Sequence, residues 1–370
     1  MGAYLSAPIT EKEKFEGKGS GLRYGGCGMQ GWRRTMEDAH IADTTVLAEG
    51  GHEKPAQVFG VFDGHGGSEV AKFCQLYLPK ELSKLDSFRR GSFETALVDV
   101  FHRMDEMLAD QNHLPELQKL KSKDNEAEGE DGEEDGEDGV ARHPLEMLKK
   151  MLVLKQYMAD GTPPETEEAA ESGEAMDTDD DCSASESKIQ AGCTAVVALV
   201  HEGKILVANA GDSRAVLCRD GKAVALSTDH KPAQDSEKAR IEAAGGFLSE
   251  IGGVCRVNGN LNLSRAIGDL KYKCNTELAR KDQIITAQPD VLAEAIGPGD
   301  EFLILACDGI WDVMSNQDAV DFVKERIGKP ECSLADIAGE LVDHCLAGDP
   351  KESRGIGCDN MTALIVQLNL

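Results

Sequence analysis

Val58-Phe59-Gly60-Val61-Phe62-Asp63-Gly64-His65-Gly66-Gly67 reads as an apolar strand that stops on an acid-glycine turn. Large and β-branched residues at successive positions suit a strand buried on both faces, and Asp-Gly then turns the chain. Much later, Ile304-Leu305-Ala306-Cys307-Asp308-Gly309-Ile310-Trp311-Asp312 repeats the arrangement and adds a second acid four residues on. Glu37-Asp38, after Gly31-Trp32-Arg33, and Asp359-Asn360, ahead of Met361-Thr362-Ala363-Leu364-Ile365-Val366, look like the same device. A carboxylate at the tip of a buried strand is held rigidly and points out of the core. Four of them brought together would repel strongly unless a cation sat among them. All-oxygen ligands favour Mg²⁺ or Mn²⁺ over zinc. A pair of such ions, about 3.5–4 Å apart, would share one carboxylate and generate a nucleophilic hydroxide. Arg33, four residues before Glu37, offers a fork of donors suited to two phosphate oxygens. His65, flanked only by glycines, can give a proton to a leaving oxygen near neutral pH.

Composition narrows the class of protein. No apolar run approaches the ~20 residues of a membrane span and no signal-peptide core is present, so a soluble chain is expected. Eleven cysteines, an odd number without any C-x-x-C, suit a reducing compartment, cytoplasm or nucleus, and argue against a disulfide framework or a zinc knuckle. The net charge of −28 is concentrated: Asp124 to Ser187 holds 22 acids against 4 bases, leaving −10 for the rest. No basic tract exists to bind nucleic acid, which also counts against a metal-dependent nuclease. The acidic stretch would instead attract basic proteins, and an interaction module acting through it is the alternative reading of the chain. Met1-Gly2-Ala3-Tyr4-Leu5-Ser6 matches the N-myristoylation pattern with Gly2 as acceptor. A single acyl chain without a polybasic patch would bind membrane only weakly. A monomer is expected.

Strand-like runs at Ile41–Leu47 and Val58–Phe62 precede helical periodicity over Ser68–Leu85 and Ser92–Ala109. The Glu/Asp/Gly-rich stretch from Asp124 cannot bury enough to order itself, so residues 124–187 are expected to be a mostly disordered insertion. Leu145–Met158 forms an apolar island within it, with the spacing of a docking helix. Short strands follow at Ala195–Val200, Lys204–Asn209, Ala215–Cys218 and Ala223–Leu226, then a helix over Asp235–Ala244 that ends at Gly245-Gly246. Strands Val291–Ala295 and Phe302–Cys307, helices Asn316–Ile327 and Ser333–Leu346, and strand Thr362–Leu368 complete the chain. Strands in runs and helices in pairs favour an α+β fold with antiparallel sheets over a doubly wound one. The basic residues Arg265, Lys271, Lys273, Arg280 and Lys281 within Arg256–Lys281 suggest a flap over an anionic substrate.

Two patterns mislead. Gly26-Cys27-Gly28-Met29-Gln30-Gly31 satisfies G-x-G-x-x-G but no helix start follows, so a dinucleotide site is rejected. Asp124-x-Glu126-x-Glu128-Gly129 resembles a calcium loop but has Asp131 where an apolar residue belongs.

Eight segments in order resemble the metal-dependent serine/threonine protein phosphatases of type 2C. They are Gly31-Trp32-Arg33 with Glu37-Asp38-Ala39-His40, the strand into Asp63-Gly64-His65-Gly66, Gly192-Cys193-Thr194-Ala195, and Ala208-Asn209-Ala210-Gly211-Asp212-Ser213-Arg214. Asp229-His230-Lys231-Pro232, Leu263-Ser264-Arg265-Ala266-Ile267-Gly268-Asp269, Ala306–Asp312 and Gly357-Cys358-Asp359-Asn360-Met361-Thr362 follow. The N-terminal motif and the acidic insertion are similar to the gamma branch, although the insertion is short for it.

The resemblance implies an αββα sandwich: two antiparallel β-sheets flanked by helix pairs. It places one catalytic domain on residues 22–123 and 188–370, with residues 1–21 an N-terminal segment. It implies that Asp63 bridges two Mg²⁺ or Mn²⁺ ions, that Gly64 ligates through its carbonyl, and that Glu37, Asp308 and Asp359 complete the pair. A weaker third ion would draw on Asp212, Asp308 and Asp312. Asp38 would orient the attacking water, Arg33 hold the phosphate, and His65 protonate the leaving alkoxide of phosphoserine or phosphothreonine. A bridging hydroxide attacks phosphorus in line, with no phosphoenzyme. Cys193 stands where Ser is commoner.

Overall fold

A computed structural model describes residues 4–48, 54–126, 190–329 and 332–368. By internal contacts the chain divides into one unit of residues 1–127 with 186–370 and another of residues 128–185. Gly2, the Leu145–Met158 island and nearly all of Asp124–Ser187 lie outside the described residues; the fold is that of the first unit.

Its strands, in chain order, are β1 (Ile9–Gly19), β2 (Leu22–Gly31), β3 (Ala39–Val46), β4 (Ala56–Phe62), β5 (Gly64–His65), β6 (Gly192–Cys193), β7 (Ala195–His201), β8 (Lys204–Ala210), β9 (Arg214–Arg219), β10 (Lys222–Ala225), β11 (Leu248–Ile251), β12 (Val254–Val257), β13 (Ile267–Gly268), β14 (Asp290–Ala295), β15 (Asp300–Ala306) and β16 (Met361–Leu368). Helices are α1 (Glu69–Lys84), α2 (Asp86–Arg89), α3 (Phe93–Ala109), α4 (Leu114–Glu126), α5 (Asp235–Ala243), α6 (Asp308–Trp311), α7 (Asn316–Lys324) and α8 (Leu334–Cys345).

One sheet runs β1-β2-β16-β15-β9-β10 and the other β14-β8-β7-β4-β3, with every neighbouring pair antiparallel. The period-two alternation of each central strand explains the layering. In β4, Phe59 and Val61 face the other sheet, meeting Leu303 and Leu305 of β15 and Leu364 and Val366 of β16. Val58 and Phe62 face outward onto Phe73 and Leu78 of α1 and Phe101 and Met104 of α3. Ile304 and Ile365 likewise face outward onto Val320 of α7 and Ile337 and Leu341 of α8. Helices thus cover both outer faces, which is why the central strands read as unbroken apolar runs. The α+β sandwich is the observed architecture.

Several elements differ from the sequence expectation. Residues 9–19, set aside as part of an N-terminal segment, form β1, paired antiparallel with β2 in continuous register from Lys12 to Gly19 and with a register shift between Ile9 and Lys12. The run Ile-Thr-Glu-Lys-Glu-Lys shows no apolar face because β1 is an edge strand, where charge blocks further pairing. Its lysines also tie the sheet to α8 through Lys12–Asp343 at 2.7 Å and Lys14–Asp336 at 2.8 Å. The glycine-rich Gly26–Gly31 lies within β2, so the rejection of a dinucleotide loop stands. Helix α4 runs past Asp124 to Glu126, carried by strong helix formers. The hairpin β11–β12 gave no alternating signal.

Gly25 in β2 is required by close approach: a Cβ there would lie 2.7 Å from Leu334 Cβ at the start of α8. Gly25→Val should therefore lower stability by about 1–3 kcal/mol. The effect reads as a lower urea midpoint at unchanged slope; an unmoved midpoint would contradict this packing.

Candidate metal centre

The carboxylates converge because the strands that carry them are central in both sheets and end at the same mouth. Asp63 follows β4, Asp308 opens α6 directly after β15, Asp359 precedes β16, and Glu37 and Asp38 lie between β2 and β3. Asp212 sits two residues past β8, after Gly211 in the left-handed region at φ 121°. Carboxylate oxygens of Asp63, Asp212 and Asp308 all lie within 4.8 Å of one another.

Backbone and amide contacts fix this geometry. Asn360 is the clamp: its Oδ1 accepts from Glu37 N at 2.9 Å, while its Nδ2 donates to Gln30 O at 2.8 Å and Thr35 O at 2.9 Å. Glu37 is oriented by Thr35 Oγ1 at 2.9 Å and Gly67 N at 3.2 Å. Thr194 N donates to Asp63 O at 2.9 Å, joining segments that flank the acidic stretch in sequence. Asp38 lies beneath the others, 6% exposed, with Oδ2 accepting from Thr362 Oγ1 at 2.7 Å and Oδ1 holding no hydrogen-bond partner.

A cleft of about 600 Å³ opens above, lined by Arg33, Glu37, Asp63, Gly64, His65, Asp212, Asp308 and Asp359. Of the ten site residues read from the sequence, these eight are together. Asp38 is one layer down. Asp312 faces a neighbouring depression with Trp311 and Arg214. Lys231 places its ammonium 2.5 Å from Asp212 Oδ2, so a cation drawn to Asp212 would meet this internal one. Arg33 stands at the rim, 2.5 Å from Asp359 Oδ2.

Burial and mutual repulsion dominate the electrostatics of the site. Two like charges 4 Å apart repel by about 4 kcal/mol at an effective dielectric of 20. Burial, then the neighbouring carboxylates, push Asp63 and Asp308 well above the usual carboxylate range. Burial raises Asp38 to about 7. Burial opposes the charge of Arg33, but Asp359, Asp308 and Asp63 outweigh it and raise its pKa. A hard divalent cation fits this donor set: carboxylate oxygens predominate, rigidly held and with an excess of negative charge, while the Cys307 sulfur grouped with Asp38 and Asp63 is fully buried.

The basic flap is corrected. Only Arg256 among its basic residues lines the cleft. Arg265 is tied to Glu237 at 2.7 Å and Asp290 at 2.8 Å, Lys273 to Asp105 at 2.6 Å, and Arg280 to Glu106 at 2.6 Å. Their acidic partners come from distant segments, so a count of charges along 256–281 could not reveal the neutralisation. Sequence reading also missed the clamp role of Asn360, the counter-ion Lys231 and the wall formed by Asn260 and Leu263. Asn360 and Lys231 stood in quoted motifs, but nothing in the motifs says which way the side chains reach.

Residues 22–127 and 141–353 match the family model described as Protein phosphatase 2C. Probable protein phosphatase 2C 21 of Arabidopsis thaliana is 40% identical over 367 residues, covering 99% of this chain and 92% of that protein. Probable protein phosphatase 2C 2 of Paramecium tetraurelia is 39% identical over 371 residues, covering 100% of this chain and 99% of its own. In fold the chain resembles the crystal structure of a phosphatase from a pathogenic strain of Toxoplasma gondii, with a TM-score of 0.60 over 97% of this chain and 96% of that one at 24% identity.

A carboxyl whose folded pKa lies above its unfolded value binds protons on folding, so stability falls as pH rises through the window between them. For Asp63 and Asp308 that window starts near the ordinary 3.8 and extends upward. At neutral pH the metal-free site therefore works against the fold. Metal-free Asp308→Asn should melt higher than metal-free wild type, by about 2–4 °C for each kcal/mol of repulsion removed. Mn²⁺ at a hundred times its Kd should stabilise wild type by about 2.7 kcal/mol and Asp308→Asn by much less. Equal Mn²⁺ shifts in the two proteins would exclude Asp308 as a ligand.

Proposed function

The chain belongs to the protein phosphatase 2C family and is a metal-dependent protein serine/threonine phosphatase; we propose that its cleft performs this hydrolysis with the residues at the mouth of the sandwich in distinct roles. Glu37, Asp63, the Gly64 carbonyl, Asp308 and Asp359 would hold two Mg²⁺ or Mn²⁺ ions, with Asp63 shared. A weaker third would draw on Asp212 and Asp308, with Asp312 behind them, in competition with Lys231. When bound, such ions acidify a water and neutralise phosphate charge.

The remaining work belongs to the chain. Arg33 presents its guanidinium at the rim, where a phosphate dianion would compete with Asp359 for the fork. Asp38, anchored through Oδ2, has its free Oδ1 available to orient the attacking water and accept its proton. His65 supplies a proton to the departing serine or threonine oxygen. The observation that carries this reading is the approach of Asp63, Asp212 and Asp308 to within 4.8 Å beneath Arg33.

The acidic segment supports a second role, the capture of basic phosphoproteins, on the strength of its 22 acids against 4 bases. Membership of the gamma branch, acylation at Gly2 with weak membrane contact, a monomeric state and residence in cytoplasm or nucleus are parts of the same proposal. They rest on the N-terminal motif, the acidic stretch and the scattered cysteines.

Hydrolysis of a phosphothreonine peptide should require added Mn²⁺ or Mg²⁺ and stop with chelator. Asp63→Asn should lower kcat by on the order of a hundredfold or more, the equivalent of several kcal/mol. Arg33→Ala should raise KM by about tenfold, as expected on losing a charge-assisted contact. Turnover that persists without metal would contradict the assignment.

A further inference from the structure

His65 has a partner that the roles above do not use. Its Nε2 lies 2.6 Å from Oδ2 of Asp269, a residue 204 positions later and 1% exposed. The two meet across a three-stranded ribbon, β13-β6-β5, in which Gly192 is paired with His65 on one side and Gly268 on the other. Gly192 is glycine for a visible reason. A Cβ there would lie 2.7 Å from His65 Nε2 and would overlap the Asp269 carboxylate. The pair passes directly over the Gly192 Cα.

Asp269 is also held in a conformation that a non-glycine residue rarely adopts, φ 52° and ψ 37°. Such a conformation is unfavourable and persists only where surrounding contacts over-determine it. Here Asp269 N donates to Ala191 O at 3.0 Å and Tyr272 N donates to Asp269 O at 2.9 Å. Next to it, Gly268 N donates to Asp105 Oδ1 at 2.8 Å, and Lys273 bridges Asp105 to Ala266 O at 2.6 and 2.7 Å. The brace fixes the carboxylate behind the imidazole. With Nε2 engaged, Nδ1 is the ring nitrogen left for the cleft that His65 lines.

Resting on the phosphatase reading of the cleft, we propose that Asp269 is the positioning residue for His65, fixing its ring and tautomer so that Nδ1 delivers the proton to the leaving oxygen. As water oxygen bonds to phosphorus and the bond to the serine or threonine oxygen breaks, that oxygen takes the Nδ1 proton and departs as the alcohol. The imidazole is left neutral, with its Nε2–H still donating to Asp269. Asp38 releases to solvent the proton it takes from the attacking water and Nδ1 takes one up from solvent, so one water is consumed per ester cleaved and no co-reactant is needed. An aspartate that holds a histidine in one tautomer from behind is a recurrent way of orienting proton transfer.

The test compares two leaving groups in the full-length protein at saturating Mn²⁺. A serine or threonine alkoxide needs protonation; p-nitrophenolate does not. Asp269→Asn should lower kcat on a phosphothreonine peptide by about 10- to 100-fold, part of the ~10²–10⁴ that a positioned proton donor contributes. KM should stay within about twofold and kcat on p-nitrophenyl phosphate within about threefold, because binding and attack do not use this proton. In a His65→Gln background, Asp269→Asn should add no further loss. Equal losses on both substrates, or a loss that multiplies onto His65→Gln, would overturn the proposal.

A second measurement does not depend on the Asp269 variant. In ¹⁵N spectra of wild-type imidazoles, with His65 identified by its absence in His65→Gln, neutral His65 should carry its proton on Nε2. A proton on Nδ1 in the neutral ring would overturn the assignment. Metal-dependent turnover by wild type tests the phosphatase reading separately, because every comparison with Asp269→Asn is a ratio to wild type.

Discussion

Repulsion among Asp63, Asp212 and Asp308 is the interaction around which the rest of the domain is arranged. Carboxylates free to move would separate or take up protons, and burial makes their charge still more costly. They stay together because each sits within a residue or two of the end of a strand whose both faces are packed: β4, β8 and β15. Four layers give those strands two buried faces. A single sheet with one wet face would leave the carriers free to relax. The Asn360 clamp then ties the loop after β2 to the start of β16, with three hydrogen bonds from one side chain.

The same rigidity organises what surrounds the acids. Among the described residues, two side-chain cations pair directly with acids of the cluster: Arg33 at the rim with Asp359, and Lys231 with Asp212. Neither neutralises Asp63 at the centre, which leaves the deepest charge for a metal. Proton-handling groups lie on either side, Asp38 beneath with one unpartnered oxygen and His65 beside the opening with Asp269 behind it. Asp38 and His65 stand in the two strand-end motifs that carry Glu37 and Asp63. The short ribbon β13-β6-β5 connects His65 to residues that follow the acidic stretch.

Much of this is legible in the sequence. Central strands announce themselves because two-sided burial demands unbroken apolar runs, and the acid-glycine turns mark where those runs leave the core. Eight of ten proposed site residues line the cleft for that reason. Edge strand β1 was illegible because its side chains meet water and the charges of α8, so they follow no apolar alternation. Arg265 and Lys273 looked like free positive charge because Glu237 and Asp105, which neutralise them, are remote in the chain. Asp269 stood in a quoted motif, but its role depends on a residue 204 positions away and on the missing side chain of Gly192. Strand ends are local features and can be read locally; partners cannot.

Crystals soaked in Mn²⁺ and measured at the manganese absorption edge would test the central claim most directly. The account predicts strong anomalous peaks on either side of the Asp63 carboxylate, within ligand distance of Glu37, Asp308 and Asp359, that vanish in Asp63→Asn. Manganese bound elsewhere on the acidic surface, with none beside Asp63, would contradict it.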